Sequence, residues 1–320
     1  MVYYTAREEM MTAEILMVGP MMSRVREALE REFTLHRLWE AEDRAALLAQ
    51  VAGQGRGIAT AHGADAALID ALPKLEIISN FGVGYDAVDV ARAKTRDIIV
   101  TNTPHVLNDD VADLAIALML NVSRQLVLAD RYVREGAWQR GPMPLTRCVG
   151  GKTVGVLGLG RIGRAFAGRA EAMNCRVVYH NRRPRDDISY PYLDSPVALA
   201  EASDFLVVIT PGGADTTKLV DRRVLDALGP QGILINVARG SVVDEAALVA
   251  ALREGSLGGA GLDVFADEPH VPEALLGMDN VVLLPHVGSA TLETRAAMGD
   301  LVVDNLRAHF AGKPALTPVY

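Results

Sequence analysis

Thr153-Val154-Gly155-Val156-Leu157-Gly158-Leu159-Gly160-Arg161-Ile162-Gly163 joins a short apolar run to glycines spaced GxGxxG, and a helical pattern continues from it to about Met173. Strand, glycine turn and helix in that order open a dinucleotide-binding βαβ unit. The glycines permit a tight turn and let backbone N–H groups at the helix N-terminus approach a pyrophosphate. Gly158, Leu159, Gly160, Arg161, Ile162 and Gly163 are therefore candidate cofactor-binding residues.

Outward from this stretch the same alternation continues. Downstream, apolar runs at Arg176 to His180, Phe205 to Thr210, Ile233 to Val237, Ala260 to Val264 and Val281 to Leu284 alternate with helical stretches, and a set of six strands suits a dinucleotide fold. Upstream, Ile15 to Val18, Thr34 to Leu38, Gly57 to Thr60, Leu75 to Ser79 and Ile98 to Val100 form an earlier βα series. Thr103-Pro104 interrupts it, and Asn108-Asp109-Asp110 offers an N-cap and acidic first turn to a helix over Val111 to Gln125. Thr291 to Ala311 reads as one long helix with Gly312 and Pro314 as stop signals, and no strand follows it. The expected fold is α/β with two doubly wound parallel-sheet domains. A nucleotide-binding Rossmann domain, 106–290, is inserted into a discontinuous flavodoxin-like substrate domain, 1–105 plus 291–320, giving a cleft with hinges near Pro104 and Thr291.

Composition narrows the function. The 320 residues carry 32 Lys plus Arg against 40 Asp plus Glu, a formal net charge of −8 that disfavours generic nucleic-acid binding. Cys148 and Cys175 provide neither a disulfide framework nor a Cys-rich metal site, so a reducing cytoplasm is the expected compartment and no metal is expected. The richest apolar stretch, Val111 to Val122, carries Asp113, so no membrane span is expected. Met1 to Met10 contains Arg7, Glu8 and Glu9 and reads as no signal peptide.

The strand ends supply the chemistry. After Arg176 to His180, where an NAD site would place an acidic residue on the adenosine ribose, the chain has Asn181, Arg182 and Arg183, with Arg185 beyond. Guanidinium groups bind a 2′-phosphate through charge-assisted contacts, so the expected cofactor is NADP(H) in preference to NAD(H), with Arg182 the leading contact. Arg239 follows the strand at Ile233, Glu268 lies past Ala260 to Val264, and His286 follows Val281 to Leu284. Hydride delivery to a ketone leaves negative charge on oxygen and needs a proton donor nearby. His286 suits that role, Glu268 would favour and orient its protonated form, and Arg239 can clamp the carboxylate of a 2-keto acid. His36, His105, His180, His270 and His309 carry no comparable context and read as ordinary surface or core histidines. In the first domain the glycine-rich Asn80-Phe81-Gly82-Val83-Gly84-Tyr85-Asp86 makes Val83 and Gly84 candidate carboxylate binders, and Thr60, Ala61 and His62 candidate contacts for the rest of the substrate.

With these residues in place the chain resembles the D-isomer-specific 2-hydroxyacid dehydrogenases. The resemblance runs from Leu72-Pro73-Lys74-Leu75 and Gly82-Val83-Gly84-Tyr85-Asp86, through the glycine fingerprint, to the Arg239, Glu268 and His286 segments. Val111-Ala112-Asp113-Leu114-Ala115, Tyr132 to Trp138, Leu257 to Phe265 and Leu284 to Ser289 look closest to the NADPH-dependent glyoxylate/hydroxypyruvate and hydroxyphenylpyruvate reductases. The resemblance implies Arg239 as substrate binder, His286 as acid/base and Glu268 as its partner. It also implies that Asp263 helps hold the nicotinamide carboxamide and that Thr210, Val237, Ala238, His286 and Gly288 line the cofactor. It further implies a homodimer through Val111 to Trp138, with the Met143 to Leu145 loop reaching the neighbour. Two departures matter: no regulatory extension follows Tyr320, so feedback control by serine is not expected, and Glu268 stands where formate dehydrogenases of this superfamily carry glutamine. An NAD-linked D-lactate-like dehydrogenase and a dinucleotide-sensing corepressor of the same fold are the competing expectations.

Overall fold

All pairings between the named strands are parallel, the geometry that follows when each strand is returned to the same end of its sheet by a crossover. The computed structural model describes residues 13–320, so the signal-peptide reading of residues 1–10 lies outside the described residues. The chain divides into two compact units, one made of Met1–Leu107 with Thr291–Tyr320 and the other of Asn108–Ala290.

In the first unit, β1 (Glu14–Met17), β2 (Thr34–Arg37), β3 (Gly55–Thr60), β4 (Ile77–Asn80) and β5 (Ile99–Thr101) form a sheet in the order β2-β1-β3-β4-β5, the flavodoxin-like arrangement. Alternation along the strands sends Leu16, Ile58, Ile78 and Val100 to one face and Ile15, Met17, Ala59 and Ile77 to the other. The second face is covered by Val302, Val303, Leu306 and Phe310 of the helix Leu292–Phe310, and this burial is why the chain returns to the unit at its end. Thr291 caps that helix by accepting the Thr294 N–H. The helix is tied to the helix Ser23–Glu32 by Arg24 on Asp300 and by a two-pronged Arg307–Glu32 pair at 2.6 and 2.7 Å.

In the second unit, β6 (Thr153–Leu157), β7 (Arg176–His180), β8 (Phe205–Val208), β9 (Ile233–Asn236), β10 (Gly259–Leu262) and β11 (Val281–Leu283) are ordered β11-β10-β9-β8-β6-β7. The winding reverses between β6 and β8, and ligands of open α/β sheets bind in that crevice beyond the strands' carboxyl ends. The strand order 3-2-1-4-5-6 of a Rossmann sheet places a strand outside the counterpart of β7; among the described residues that place holds only the isolated bridge between Tyr179 and Tyr192. Tyr179 donates to the Pro191 carbonyl and accepts from Leu193, but Pro191 has no N–H, and the ladder goes no further.

The helix expected over Val111 to Gln125 spans Asn108–Arg124. Asn108 is not a cap: it is the first helical residue, and its buried Oδ1 accepts nothing. Gln125, at φ +50°, breaks the helix, and a second helix, Leu126–Arg134, follows. No single helix among the described residues is long and apolar enough to cross a membrane. Val111, Ala115, Leu118 and Val122 are buried within the unit, whereas no residue of Leu126–Arg134 is buried, and Leu126, Val127, Val133, Trp138 and Leu145 are exposed.

Candidate active site

The glycine turn after β6 has the shape that its spacing requires. A Cβ on Gly158, whose φ is +104°, would lie 2.7 Å from the Thr210 amide nitrogen, and one on Gly163 would lie 2.5 Å from the Gly158 carbonyl oxygen. A Cβ on Gly160 would meet nothing within 4 Å. The first glycine thus allows close packing across the β6/β8 crevice and the third lets the helix pack on the turn and β6, while the second opens space where a pyrophosphate would approach. Gly160 is also the N-cap of the helix Arg161–Ala172 and offers it no side-chain acceptor. By contrast, Asp43, Asp65, Asp89, Ser195, Asp221 and Asp244 cap theirs. The first-turn amides, beginning with Arg161 and Ile162, have no intrahelical partners and so suit an anion. The amide of Leu159 is already committed, since it donates to Asn181 Oδ1 at 2.7 Å. These residues fit a dinucleotide.

Asn181, Arg182 and Arg183 follow β7 directly. The Asn181 side chain is turned onto the glycine loop, while Arg182 and Arg183 are exposed; Arg182 Nη1 lies 3.3 Å from Asp215 Oδ2. Arg185 pairs instead with Asp187, which also takes Arg164, and the two guanidiniums hold the Asp187 carboxyl well below the usual range. Thr210 stands at the crevice beside Gly158. The amides of Val237 and Ala238 are committed to the Val208 carbonyl and to Asn236 Oδ1.

The carboxyl ends of β9, β10 and β11 bring the Arg239, Glu268 and His286 segments together. Asn236, nearly fully buried at the end of β9, accepts from Ala238 and donates from Nδ2 to the Arg239 carbonyl at 3.0 Å, fixing the turn that carries Arg239. Arg239 Nη1 in turn donates to the Ala238 carbonyl at 2.8 Å. Gly240 then packs directly against the next strand's loop, where a Cβ would fall 1.9 Å from the Phe265 carbonyl carbon. That loop folds back on itself as the Phe265 amide donates to Glu268 Oε1 at 3.0 Å, and the other Glu268 oxygen, Oε2, lies 2.7 Å from His286 Nδ1. An ionised carboxylate only accepts, so this contact makes Nδ1 the donor and orients the ring. Nε2 has no partner among the described residues.

His286 adopts φ +54°, a backbone region that costs a non-glycine residue about 1–3 kcal/mol unless its surroundings hold it. Asp263 supplies that hold. Its carbonyl accepts the His286 amide at 2.8 Å, and its two carboxylate oxygens accept the Val287 and Gly288 amides at 2.7 and 2.8 Å. Burial pushes the Asp263 carboxyl above its ordinary range, while those two amides and His286 pull it back. Both oxygens are thus occupied by the His286 loop, and the side chain is about 1% exposed. The expectation that Asp263 touches a nicotinamide therefore meets a carboxylate already committed to positioning, because the buried loop amides need its acceptors.

In the first unit, Val83 and Gly84 follow β4. Their carbonyls are tied back by the Asn102 and Asn80 side chains at 2.8 and 2.9 Å, Gly82 N–H donates to Thr103 Oγ1, and no hydrogen bond engages the Val83 and Gly84 amides among the described residues. Thr60 differs from expectation. It is fully buried, with Oγ1 donating to the Gly63 carbonyl and accepting the His62 amide, so it shapes the loop, and Ala61 and His62 are the exposed residues there. Sequence reading did not single out Asn236, Gly240 or Asp215. Asn236 and Gly240 flank Arg239 in the chain, but only the fold shows what they touch.

Comparison with known proteins adds to this geometry. Residues 116–288 match the family model described as D-isomer specific 2-hydroxyacid dehydrogenase, NAD binding domain. The chain is 54% identical over 307 residues to hydroxyphenylpyruvate reductase of Plectranthus scutellarioides, covering 95% of this chain and 98% of that protein. It is 53% identical over 307 residues to glyoxylate/hydroxypyruvate reductase A of Arabidopsis thaliana, with the same coverage of 95% and 98%. Among solved structures it resembles the NADPH-dependent glyoxylate/hydroxypyruvate reductase of Sinorhizobium meliloti in complex with NADP and malonate, at 52% identity and a TM-score of 0.91, covering 96% of this chain and 97% of that one.

Proposed function

Because the chain belongs to the D-isomer-specific 2-hydroxyacid dehydrogenase family, we propose that it reduces a small 2-keto acid such as glyoxylate, hydroxypyruvate or a bulkier aryl-pyruvate, using NADPH. The product is the D-2-hydroxy acid, or glycolate from glyoxylate. The observation that carries this reading is the 2.7 Å contact of His286 Nδ1 with Glu268, beside the turn that presents Arg239.

The bound nicotinamide supplies the hydride. The first-turn amides of Arg161–Ala172 hold the pyrophosphate, and Arg182, with Arg183, takes the 2′-phosphate. Arg239 binds the substrate carboxylate and polarises the carbonyl, a planar two-pronged match that lysine would not reproduce. His286 donates the proton from Nε2 to the oxygen as charge develops there, and Glu268 stabilises the imidazolium beforehand and orients the ring. Within the first unit, the Val83 and Gly84 amides are the proposed carboxylate donors, and Ala61 and His62 the proposed exposed contacts for substrate.

A homodimer is part of the same proposal. The helix Leu126–Arg134 buries none of its residues within the chain, and a second copy covering Leu126, Val127, Val133, Trp138 and Leu145 would remove that apolar surface from water. The compartment proposed is the cytoplasm, in keeping with two free cysteines, one exposed.

The test is reduced-nicotinamide absorbance with NADPH and with NADH against glyoxylate, hydroxypyruvate, pyruvate, phenylpyruvate and 4-hydroxyphenylpyruvate. NADPH oxidation in preference to NADH supports the proposal and ranks the acids. Turnover with none of them, or an NADH preference, overturns it.

A further inference from the structure

The strand order places β7 and β8 on opposite sides of β6. Arg182 lies just beyond β7, and Asp215 lies in the single turn Ala214–Thr216 beyond β8, so their 3.3 Å contact spans the mouth of β6 next to the glycine turn. That is the crevice in which the adenosine half of a dinucleotide lies in this fold. Burial does not hold the pair together, since the two side chains are 87% and 79% exposed. The position of Asp215 is nevertheless built. Thr216 Oγ1 donates to the Pro211 carbonyl at 2.7 Å, and Thr217 Oγ1 to the Gly213 carbonyl at 3.1 Å, fixing the turn that presents the carboxylate. Arg185 and Arg164, by contrast, share Asp187 on the β7 side.

We propose that Asp215 is an internal competitor for the 2′-phosphate: its carboxylate occupies Arg182 until NADP(H) displaces it, which lowers affinity for the phosphorylated dinucleotide specifically. This rests on the reading that Arg182 takes that phosphate. The sign follows from charge. A phosphate monoester carries close to two negative charges near neutral pH; it must take Arg182 from the carboxylate and then remain near it. The 2′-hydroxyl of NAD(H) does neither, so Arg182 and Asp215 stay paired when that dinucleotide binds. An exposed ion pair is weak enough for such an exchange to be reversible at ordinary cofactor concentrations. The consequence for turnover is a looser grip on the product NADP+, which eases its release.

The experiment is calorimetric titration of the full chain with 2′,5′-ADP and with 5′-AMP, which differ only in the 2′-phosphate, for wild type, Asp215→Asn, Arg182→Ala and the double variant. Asp215→Asn is expected to tighten 2′,5′-ADP on the order of fivefold, the equivalent of one exposed ion pair, and 5′-AMP by less than about twofold. In the Arg182→Ala background the same substitution should have little effect. Unchanged or weakened 2′,5′-ADP binding in Asp215→Asn overturns the proposal, since the carboxylate would then be inert or would preorganise Arg182. A full effect persisting without Arg182 overturns it too, because repulsion alone would account for the gain. If Arg182→Ala leaves the ratio of 2′,5′-ADP to 5′-AMP affinity unchanged, the underlying assignment of Arg182 fails instead.

Discussion

Asp263 accepts the backbone amide of His286 on its carbonyl, 2.8 Å away, while its carboxylate takes the next two amides in turn. One buried residue at the end of β10 therefore fixes the loop that carries the imidazole. Asp263→Asn replaces one acceptor with an NH2 group facing an amide donor, leaving a buried N–H unpaired at a cost of about 1–3 kcal/mol. Denaturant titration should show that loss of stability. Turnover should fall as well, because the loop that carries His286 loses its hold, and wild-type stability with wild-type kcat would refute its positioning role.

The His286–Glu268 pair predicts a division of labour. His286→Asn should lower kcat by about 10²–10⁴-fold while dinucleotide binding survives, because the proton donor is removed and the glycine turn and Arg182 are untouched. Glu268→Gln keeps the shape but withdraws the carboxylate that Nδ1 of His286 contacts at 2.7 Å, so kcat should fall while dinucleotide binding survives. Steady-state assays alongside dinucleotide titration read both effects, and an unchanged kcat in Glu268→Gln would remove Glu268 from this role.

Gly240→Ala probes how closely the Arg239 turn rests on the next loop. The added methyl would land 1.9 Å from the Phe265 carbonyl carbon, so the two loops must part. A displacement near 1 Å can cost on the order of 10²-fold in rate. The expected outcome is a fall of that size in kcat/KM. Near-normal kinetics would mean that the two loops tolerate separation.

The exposed stripe on Leu126–Arg134 makes an oligomerisation prediction. Val127→Glu and Val133→Glu place charge on side chains that are 51% and 56% exposed, so folding of one chain should be unaffected. Light scattering coupled to size exclusion should report a dimer for wild type and a shift to monomer in the double variant. An unchanged mass would place any interface elsewhere.

Acid should destabilise the first unit through Glu76. Burial pushes its carboxyl up, but hydrogen bonds from Arg56 and His309 outweigh that and hold it below its ordinary range. A carboxylate depressed in the folded state contributes stability that is complete above its unfolded pKa and is lost as pH falls through the folded one. The contribution of Glu76 should therefore be level near neutrality and fade below about pH 4. Comparing Tm against pH for wild type and Glu76→Gln checks this; a difference that persists undiminished at low pH would contradict it.

The sequence by itself determined the α/β class, the two parallel sheets and the placement of Arg239, Glu268 and His286 beyond the ends of β9, β10 and β11. Apolar periodicity and glycine spacing are local, and in open α/β sheets the residues that follow strands gather at one sheet edge whatever the packing details. It also carried the helix Leu292–Phe310 to within a residue at each end, because the apolar spacing and the stop lie in one stretch of chain. Tertiary structure decided what each candidate side chain does with its polar atoms. Thr60, Asn181 and Asp263 look equally available in the chain, yet Thr60 is committed to its own loop, and Asn181 and Asp263 to amides more than twenty residues away, at Leu159 and at Val287 and Gly288. Asp215 meets Arg182 only because β6 separates β7 from β8. Gly240 meets Phe265 only because β9 and β10 are neighbours. Such pairings follow from strand order and from the need of buried donors and acceptors for partners, and no spacing along the chain encodes either one.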